Sequence, residues 1–248
     1  MRILLTNDDG VSSPGLRLLG QALAAEHEVW IVAPDSNRSG SSHSITLGTP
    51  SRFRRTGERE FTCWGTPADC VVVALMGLVP EAPDLVLSGI NLGPNLGTDI
   101  LYSGTAAAAR QAAFMGRPAV ACSLAAYAPP YRLDFATRFL AGNLQAFVDL
   151  WAEDHFLNIN FPDSAAPAGA EVTFPARRVY KDTLVRFQAP NGDLYCFLGG
   201  PQPEAREEPG TDYRAIQQGA VSISPILIHP SNHDIEDRYR QASYFNPA

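Results

Sequence analysis

A short apolar run that ends in two adjacent acids lies near the start of the chain, in the stretch Arg2-Ile3-Leu4-Leu5-Thr6-Asn7-Asp8-Asp9-Gly10. Neighbouring side chains on an extended strand point to opposite faces, so both carboxylates can converge only where the strand has ended and the backbone turns. Gly10 permits such a turn. Two carboxylates held close together repel each other, and a divalent cation removes that repulsion while keeping both ionised. The stretch therefore predicts a first strand over residues 2–6, followed by either a metal site or a solvated Asp-Asp-Gly turn.

Strand-like and helix-like segments alternate outward from this stretch. We predict further strands over residues 28–33, 84–88, 118–123 and 156–161, and helices that begin near residues 14, 66, 105 and 133. This alternation is typical of right-handed βαβ units around a parallel sheet. The fold class that it predicts is α/β, with a mostly parallel sheet between two layers of helices in a three-layer α/β/α sandwich.

The pattern changes in the last third of the chain. Proline and glycine become more frequent, and strand-like runs such as 169–179 and 194–197 look antiparallel. We predict a single domain over residues 1–248, in which about 1–165 form the core and about 166–248 form a β-rich C-terminal arm that packs on a second subunit. The alternative is a larger monomeric domain with an irregular edge.

The composition restricts the class of protein. An apolar share of 45% in 248 residues is ample for a buried core, and a net charge of -7 without a basic block argues against DNA or RNA as the main partner. Lys181 is the only lysine, which excludes a Walker loop. The four cysteines form no Cys-x-x-Cys pair, and neither a signal peptide nor an 18-residue apolar stretch is present. We therefore expect a cytoplasmic protein with reduced thiols and no membrane span.

Three polar loops follow predicted strands. Asp8 and Asp9 follow the first strand, residues 35–44 follow the second, and residues 89–104 follow the strand at 84–88. The carboxyl ends of parallel strands share one edge of a sheet, so we expect the three loops to meet there. Their carboxylate, amide and hydroxyl oxygens suit Mg²⁺ or Mn²⁺ and poorly suit zinc or copper.

The third loop ends in Tyr102-Ser103-Gly104-Thr105 and runs directly into an alanine-rich helix. The first amides of a helix are free and its N-terminal end is positive, which favours an anion. The sequence thus predicts a phosphate site without lysine, to which Ser103 and Thr105 add hydroxyl donors and Asn95 adds an amide. The alternative is ordinary capping of the helix by Ser103.

Four spaced motifs resemble the SurE family of survival-protein nucleotidases. They are residues 1–10, the stretch 33–40, the string Gly65-Thr66-Pro67-Ala68-Asp69-Cys70, and residues 88–91 through 102–105. Gly210-Thr211-Asp212-Tyr213 and residues 221–225 resemble the C-terminal segment of that family, so the resemblance covers nearly the whole chain.

The resemblance implies a metal-dependent phosphatase that acts on nucleoside 5′- and 3′-monophosphates, with a Rossmann-like core and an arm that forms homodimers or homotetramers. It implies one divalent ion per subunit, Mg²⁺ or Mn²⁺, bound by Asp8, Asp9, Ser39 and Asn91. It implies phosphate contacts by Asn95, Ser103, Gly104 and Thr105. The chain departs from the family at Gln111, which stands where an acid is common.

The sequence offers candidates for proton transfer and for contact with the nucleoside, and it leaves their roles open. Either Asp8 or Asp9 can take a proton from the attacking water. His43 is the only histidine near the predicted site, where it either protonates the leaving alkoxide or forms a local hydrogen bond. Tyr102, next to Ser103, is a candidate contact for the base or the ribose.

Two other functions compete with metal-dependent hydrolysis. In the first, Asp8 is a nucleophile that forms an aspartyl-phosphate, but such enzymes need a lysine near the phosphate and Lys181 falls in the predicted arm. In the second, the chain binds nucleotides without catalysis. It lacks Gly-x-Gly-x-x-Gly after the first strand, which argues against a dinucleotide. Release of phosphate from AMP separates catalysis from binding.

Overall fold

A nine-stranded sheet forms the centre of the computed structural model, which describes residues 1–230 and 233–241. Four further strands lie outside this sheet and form two small two-stranded sheets. In chain order, all the strands of the described residues are β1 (Arg2–Thr6), β2 (Glu28–Pro34), β3 (Phe53–Gly57), β4 (Glu60–Cys63), β5 (Leu85–Leu92), β6 (Ala119–Ala125), β7 (His155–Pro162), β8 (Ala170–Val172), β9 (Arg178–Val179), β10 (Thr183–Gln188), β11 (Leu194–Gly199), β12 (Glu204–Ala205) and β13 (Val221–Leu227). The helices are α1 (Pro14–Leu23), α2 (Pro67–Val73), α3 (Gly104–Phe114), α4 (Leu133–Asp149), α5 (Asp212–Gln217) and α6 (His233–Arg240). A π-helical turn at Ala74–Leu78 extends α2, and a 3-10 turn at Gly97–Leu101 precedes α3.

The sheet has the strand order β3-β4-β2-β1-β5-β6-β7-β13-β8. Neighbours from β4 to β7 are parallel, whereas β3 and β13 run antiparallel to β4 and β7. The order reverses at β1, which lies between β2 and β5. In a doubly wound sheet this reversal opens a crevice at the carboxyl ends of the strands, where ligands bind.

Helices cover both faces of the sheet, which confirms the predicted α/β sandwich. On one face Leu16 of α1 and Leu140 of α4 pack into the same buried cluster as Leu5. On the other face residues of α2 and α3 pack with Leu4 and Val86. The α3 face toward the sheet consists of buried alanines, whose small side chains let the helix lie close to the strands.

Two local predictions need correction. The strand predicted over 84–88 runs on to Leu92, with a register shift against β6 between Ser88 and Asn91, so Asn91 belongs to a strand and not to a loop. The run at 169–179, predicted as antiparallel, contributes β8, which pairs in parallel with β13, and β9, which pairs antiparallel with β12 as predicted. Strand β8 therefore runs in the direction opposite to β7, as β13 does, and its partner in the sheet is β13.

The C-terminal third divides between the central sheet and a projecting hairpin. Strands β13 and β8 extend the central sheet beyond β7, whereas β10 and β11 pair with no other strand of the described residues than each other, and all twelve of their residues are exposed. Part of the predicted arm, 166–248, therefore completes the core, and its residues 231–232 and 242–248 lie outside the described part of the chain. Within the described residues, no helix is both long and apolar enough to cross a membrane.

Candidate metal and phosphate site

The turn after β1 is built by Asn7 and Gly10. The Asn7 side-chain amide donates to the Gly10 carbonyl at 2.9 Å, and the Gly10 amide donates to the Asn7 side-chain oxygen at 3.1 Å. Gly10 has a φ of 101°, in the region that favours glycine. This closed turn places Asp8 and Asp9 at the carboxyl end of β1, beside the ends of β2 and β5.

The N-terminus of α3 holds the carboxylate of Asp8. The Thr105 amide donates to Asp8 Oδ2 at 3.1 Å, and the Thr105 hydroxyl donates to Asp8 Oδ1. A Cβ atom at Gly104 would lie 2.8 Å from Asp8 Cβ, so only glycine fits between the helix start and this acid. The positive N-terminal end of α3 is therefore already in contact with an anionic side chain of the protein, the carboxylate of Asp8.

Both acids have a raised pKa, because Asp8 is buried and Asp9 is partly buried. Burial raises the pKa of Asp8, and the hydrogen bonds from Thr105 act in the opposite direction. Burial also raises the pKa of Asp9 to about 6, and the negative charge of Asp8 raises it further. The backbone amide of Leu92, which donates to Asp9 Oδ2 at 3.0 Å, acts in the opposite direction. No lysine or arginine of the described residues forms an ion pair with either acid. The pair therefore lacks a protein cation to balance its charge.

A cleft of about 310 Å³ opens beside Asp8. It is lined by Asp8, Ser39, Gly40, Asn91, Leu92, Asn95, Asp99, Tyr102, Ser103 and Tyr180. The expectation that the three polar loops meet at one edge of the sheet is confirmed. Gly104 and Thr105 lie behind Asp8 rather than on the cleft surface, and Asp9 faces the amide of Leu92.

The oxygens of Asn91 and Ser39 complete a donor set that suits a hard cation. The Asn91 amide nitrogen donates to the Gly93 carbonyl at 2.7 Å, and no hydrogen bond within the described residues engages the Asn91 side-chain oxygen. The Ser39 loop is tied to Asp8, because the Arg38 amide donates to the Asp8 carbonyl at 2.7 Å. No group of three or more His, Cys, Asp or Glu side chains gathers in the parts of the chain that are described. Two carboxylates with neutral oxygens are the kind of site that Mg²⁺ and Mn²⁺ prefer.

Asn95 is fixed by a buried polar network. Its backbone amide donates to Asn160 Oδ1 at 2.9 Å, and its backbone carbonyl accepts from the side chains of Asn158 and Asn160 at 2.8 and 3.1 Å. Its side-chain nitrogen donates to Ser123 Oγ at 2.8 Å. Ser103 caps α3, since its hydroxyl oxygen accepts from the Ala106 amide at 3.0 Å. Both side chains thus line the cleft in fixed positions, and Ser103 also does what the capping alternative predicts.

His43 lies away from the cleft. Its Nε2 is 2.9 Å from Gln111 Oε1, and its ring stacks on Phe114 at a centroid distance of 5.5 Å. Both partners belong to the far part of α3, where His43 lines a separate, mostly apolar cavity of about 560 Å³. Burial lowers the pKa of His43. Ser42, with a φ of 54° and a hydroxyl bound to the Leu101 carbonyl, turns the loop away from the acids before His43 is reached.

Two residues that line the cleft, Asp99 and Tyr180, are not among the site residues predicted from the sequence. Asp99 lies in the 3-10 turn before α3, and Tyr180 follows β9 in the C-terminal third. The Tyr180 hydroxyl donates to Asp99 Oδ1 at 2.5 Å, and Arg178 Nε lies 3.2 Å from Asp99 Oδ2. The position of Asp99 in a polar loop after a strand is a signal that could have identified it. Tyr180 lies about 80 residues further along the chain and outside any motif, so only the tertiary structure reveals it.

Comparison with known proteins agrees with this geometry. The family model described as Survival protein SurE matches residues 3–182. A 5′-nucleotidase SurE from Alkalilimnicola ehrlichii is 42% identical over 241 residues, covering 96% of this chain and 93% of that protein. A 5′-nucleotidase SurE from Pelotomaculum thermopropionicum is 40% identical over 248 residues, covering 97% of this chain and 95% of that protein. The crystal structure of the SurE protein from Aquifex aeolicus is similar with a TM-score of 0.84 at 34% identity, covering 97% of this chain and 98% of that chain.

The resemblance inferred from the four motifs is therefore confirmed along nearly the full length of the chain. Since the family model spans most of the sequence and two relatives of at least 40% identity cover 96% and 97% of it, this chain belongs to the SurE family.

Proposed function

We propose that this protein is a metal-dependent nucleotidase, a phosphoric monoester hydrolase that converts nucleoside 5′- and 3′-monophosphates to nucleoside and phosphate. The observation that carries the proposal is the pair Asp8 and Asp9, which forms no ion pair with a lysine or arginine of the described residues; Asp8 is buried and lines the oxygen-rich cleft, and Asp9 beside it is partly buried. The relatives named as 5′-nucleotidases support the same reaction.

One divalent ion per subunit, Mg²⁺ or Mn²⁺, fits the residues present. Asp8, Asp9, Ser39 and Asn91 would hold it. When bound, such an ion neutralises charge on the phosphoryl group and lowers the pKa of a coordinated water. The unpaired charge of the two acids and the free oxygen of Asn91 support this assignment.

The protein supplies position and proton transfer. Thr105 engages both oxygens of Asp8, which fixes that acid as a rigid ligand. Asp9 has one oxygen bound by the Leu92 amide and the other available, so Asp9 is the better placed acceptor for a proton of the attacking water. Asn95 and Ser103 would receive the phosphate at the start of α3, where free helix amides favour an anion.

The contacts of Asp8 and Lys181 argue against an aspartyl-phosphate intermediate. The hydrogen bonds from Thr105 to both oxygens of Asp8 lower the nucleophilicity of this carboxylate, while each oxygen keeps a lone pair for a metal ion. Lys181 pairs with Glu204 at 2.7 Å on the surface. Direct attack by water is the reaction that these contacts favour.

The exposed hairpin supports assembly into a homodimer or homotetramer. One face of β10 and β11 presents Val185, Phe187, Tyr195 and Phe197, which are between 45% and 58% exposed. A continuous apolar face of this kind marks a protein interface more often than a free surface. The four cysteines are free thiols, which agrees with the cytoplasmic location expected from the sequence.

A panel of purine and pyrimidine monophosphates, assayed for phosphate release with Mg²⁺, Mn²⁺ or a chelator, tests the proposed function. We expect release from AMP or another monophosphate with metal and none with chelator. Activity that is unaffected by the chelator contradicts the metal site. Binding of AMP without any release of phosphate supports the non-catalytic alternative.

A further inference from the structure

Two tyrosines give one rim of the cleft an aromatic character. Tyr102 precedes α3 and Tyr180 follows β9, and their rings meet edge to face with centroids 6.2 Å apart. Tyr102 is 58% exposed and Tyr180 is 37% exposed, so both retain ring surface that faces solvent. The rest of the cleft lining is mostly polar, which sets these rings apart from the proposed metal and phosphate site.

An ion pair between buried Arg178 and partly buried Asp99 fixes the ring of Tyr180. The Tyr180 hydroxyl donates to one oxygen of Asp99 at 2.5 Å, and Arg178 Nε lies 3.2 Å from the other. The Arg178 side chain is only 1% exposed, and its guanidinium lies over the ring of Tyr213 at 5.1 Å. The orientation of Tyr180 is therefore set before any ligand arrives.

The backbone that carries Tyr180 is anchored to the loop before α3. The Asp212 carboxylate accepts from the Gly97 amide at 2.7 Å and from the Ala176 amide at 2.9 Å. A Cβ atom at Gly97 would lie 2.0 Å from the Ala176 carbonyl oxygen, so the two segments are as close as a glycine allows. The Arg178 amide also donates to the Thr98 hydroxyl at 3.2 Å. The rim is a preorganised wall, which lowers the entropic cost of binding against it.

We propose that Tyr180 is a specificity-determining residue that packs, together with Tyr102, against the base of the nucleotide. This inference rests on the proposed nucleotidase function. Ser103 is the next residue after Tyr102, so a phosphate held at Ser103 places the rest of the substrate beside the tyrosine rim. Every nucleobase has a π face that stacks on an aromatic ring, whereas a sugar phosphate offers none. The rim therefore selects phosphomonoesters that carry a base over those that do not.

The test compares AMP with ribose 5-phosphate, which has the same phosphoester but no base. From the usual strength of base–aromatic stacking, we expect Tyr180→Ala to raise the KM for AMP about tenfold and to change kcat/KM for ribose 5-phosphate less than about twofold. Tyr180→Phe keeps the ring and loses only the bond to Asp99, so its KM for AMP should stay within about threefold of wild type. Tyr180→Leu keeps apolar bulk without an aromatic face and serves as a second test if Tyr180→Ala does not fold.

Lys181→Ala is the matched control, because Lys181 is the next residue and its ammonium pairs with Glu204 outside the cleft. This variant should leave both substrates unaffected. An equal loss for AMP and ribose 5-phosphate in Tyr180→Ala, or an unchanged KM for AMP, overturns the inference. If the wild-type protein hydrolyses neither compound, the proposed function fails instead. Calorimetric binding of AMP and ribose 5-phosphate to the same variants then decides the role of Tyr180 by itself.

Discussion

At the scale of single residues, the two neighbouring acids have different surroundings. Both oxygens of Asp8 are engaged by Thr105, whereas Asp9 has a single partner, the amide of Leu92. Burial raises the pKa of each acid, so the folded protein holds them in a state that favours either a proton or a cation. Asp8 is therefore suited to a fixed ligand, and Asp9 to a ligand that also accepts a proton.

Replacement of either acid tests this assignment. In Asp8→Asn or Asp9→Asn we expect phosphate release from AMP to fall by about 10³-fold, comparable with the loss of a main electrostatic contribution. Mn²⁺ affinity, measured by calorimetry, should fall in the same variants. Glu153→Gln removes an exposed acid remote from the cleft and should change neither quantity. Near-normal turnover in Asp8→Asn would contradict the site.

The raised pKa of Asp9 predicts how pH acts on the metal-free protein. An aspartate with a pKa of about 6 when folded and a normal, lower pKa when unfolded binds more protons in the folded state. Its contribution to stability is therefore greatest at low pH, is lost as the pH rises toward 6, and stays lost above 6. In thermal unfolding with chelator, Asp9→Asn should be more stable than wild type above pH 6, and the difference should shrink toward pH 4. A difference that is independent of pH would refute the shift.

Thr105 is expected from the sequence to contact phosphate, and the structure places its hydroxyl on Asp8. If Thr105 positions the metal ligand, Thr105→Val should weaken Mn²⁺ binding about 10- to 100-fold, as loss of outer-shell partners does. Thr105→Ser keeps the hydroxyl and should restore most of the affinity. A rise in the KM for AMP with unchanged Mn²⁺ affinity would instead support a direct phosphate contact.

At the scale of elements, the start of α3 packs against Asp8, the proposed metal ligand, against the polar loop of Ser41 and against the start of α2. A Cβ atom at Gly104 would lie 2.8 Å from both Asp8 Cβ and Ser41 Oγ, and 3.0 Å from Pro67 Cγ. Three segments thus converge on one position without room for a methyl group. This crowding holds the helix terminus against Asp8.

Gly104→Ala should therefore destabilise the protein by about 1–3 kcal/mol and displace Asp8, with a loss of Mn²⁺ affinity. Gly142→Ala is the matched control, since Gly142 lies in α4 and a Cβ atom there meets nothing within 4 Å. That substitution should stabilise the protein by about 0.5–1 kcal/mol, because alanine has the higher helix propensity. Equal unfolding temperatures for the two variants would contradict the packing argument.

The positions of the site residues in the strands and loops explain which of them could be predicted from the sequence. Asp8, Ser39 and Asn91 each lie at or just after the carboxyl end of a parallel strand, and the topology of such sheets brings those ends together. His43 lies only four residues beyond Ser39, but its position depends on the left-handed turn at Ser42, which no local pattern announces. Tyr180 depends on long-range pairing between the C-terminal segment and the loop before α3. Residues placed by topology are predictable, and residues placed by a single turn or a distant contact are not.

At the scale of the whole molecule, the C-terminal third has two separate structural roles. Strands β13 and β8 complete the central sheet, and Tyr180, which follows β9, forms part of one wall of the cleft. The hairpin of β10 and β11 contributes to neither and exposes an apolar face. The sequence predicts the β-rich character of this region. Its division into a part that joins the central sheet and a projecting hairpin follows from pairings between residues far apart in the chain.

The hairpin face predicts the state of assembly. In the double variant Phe187→Ser and Phe197→Ser, whose rings pack at 5.8 Å, the molar mass from light scattering should fall toward that of one chain. Leu150→Ser replaces an apolar side chain that is even more exposed, 78% against 58% and 57% for the two phenylalanines, but that lies at the end of α4, and it should leave the mass unchanged. A wild-type protein that is already monomeric, or a double variant that keeps its mass, would contradict the interface.

The central claim is that Asp8, Asp9, Ser39 and Asn91 gather around one divalent ion at the carboxyl edge of the sheet. Anomalous diffraction from a crystal grown with Mn²⁺ tests it most directly. We expect a single strong peak per chain within coordination distance of oxygens from these four residues, about 2.0–2.3 Å. The absence of a peak beside Asp8 and Asp9 under saturating Mn²⁺, or a peak bound by other residues, would contradict the account.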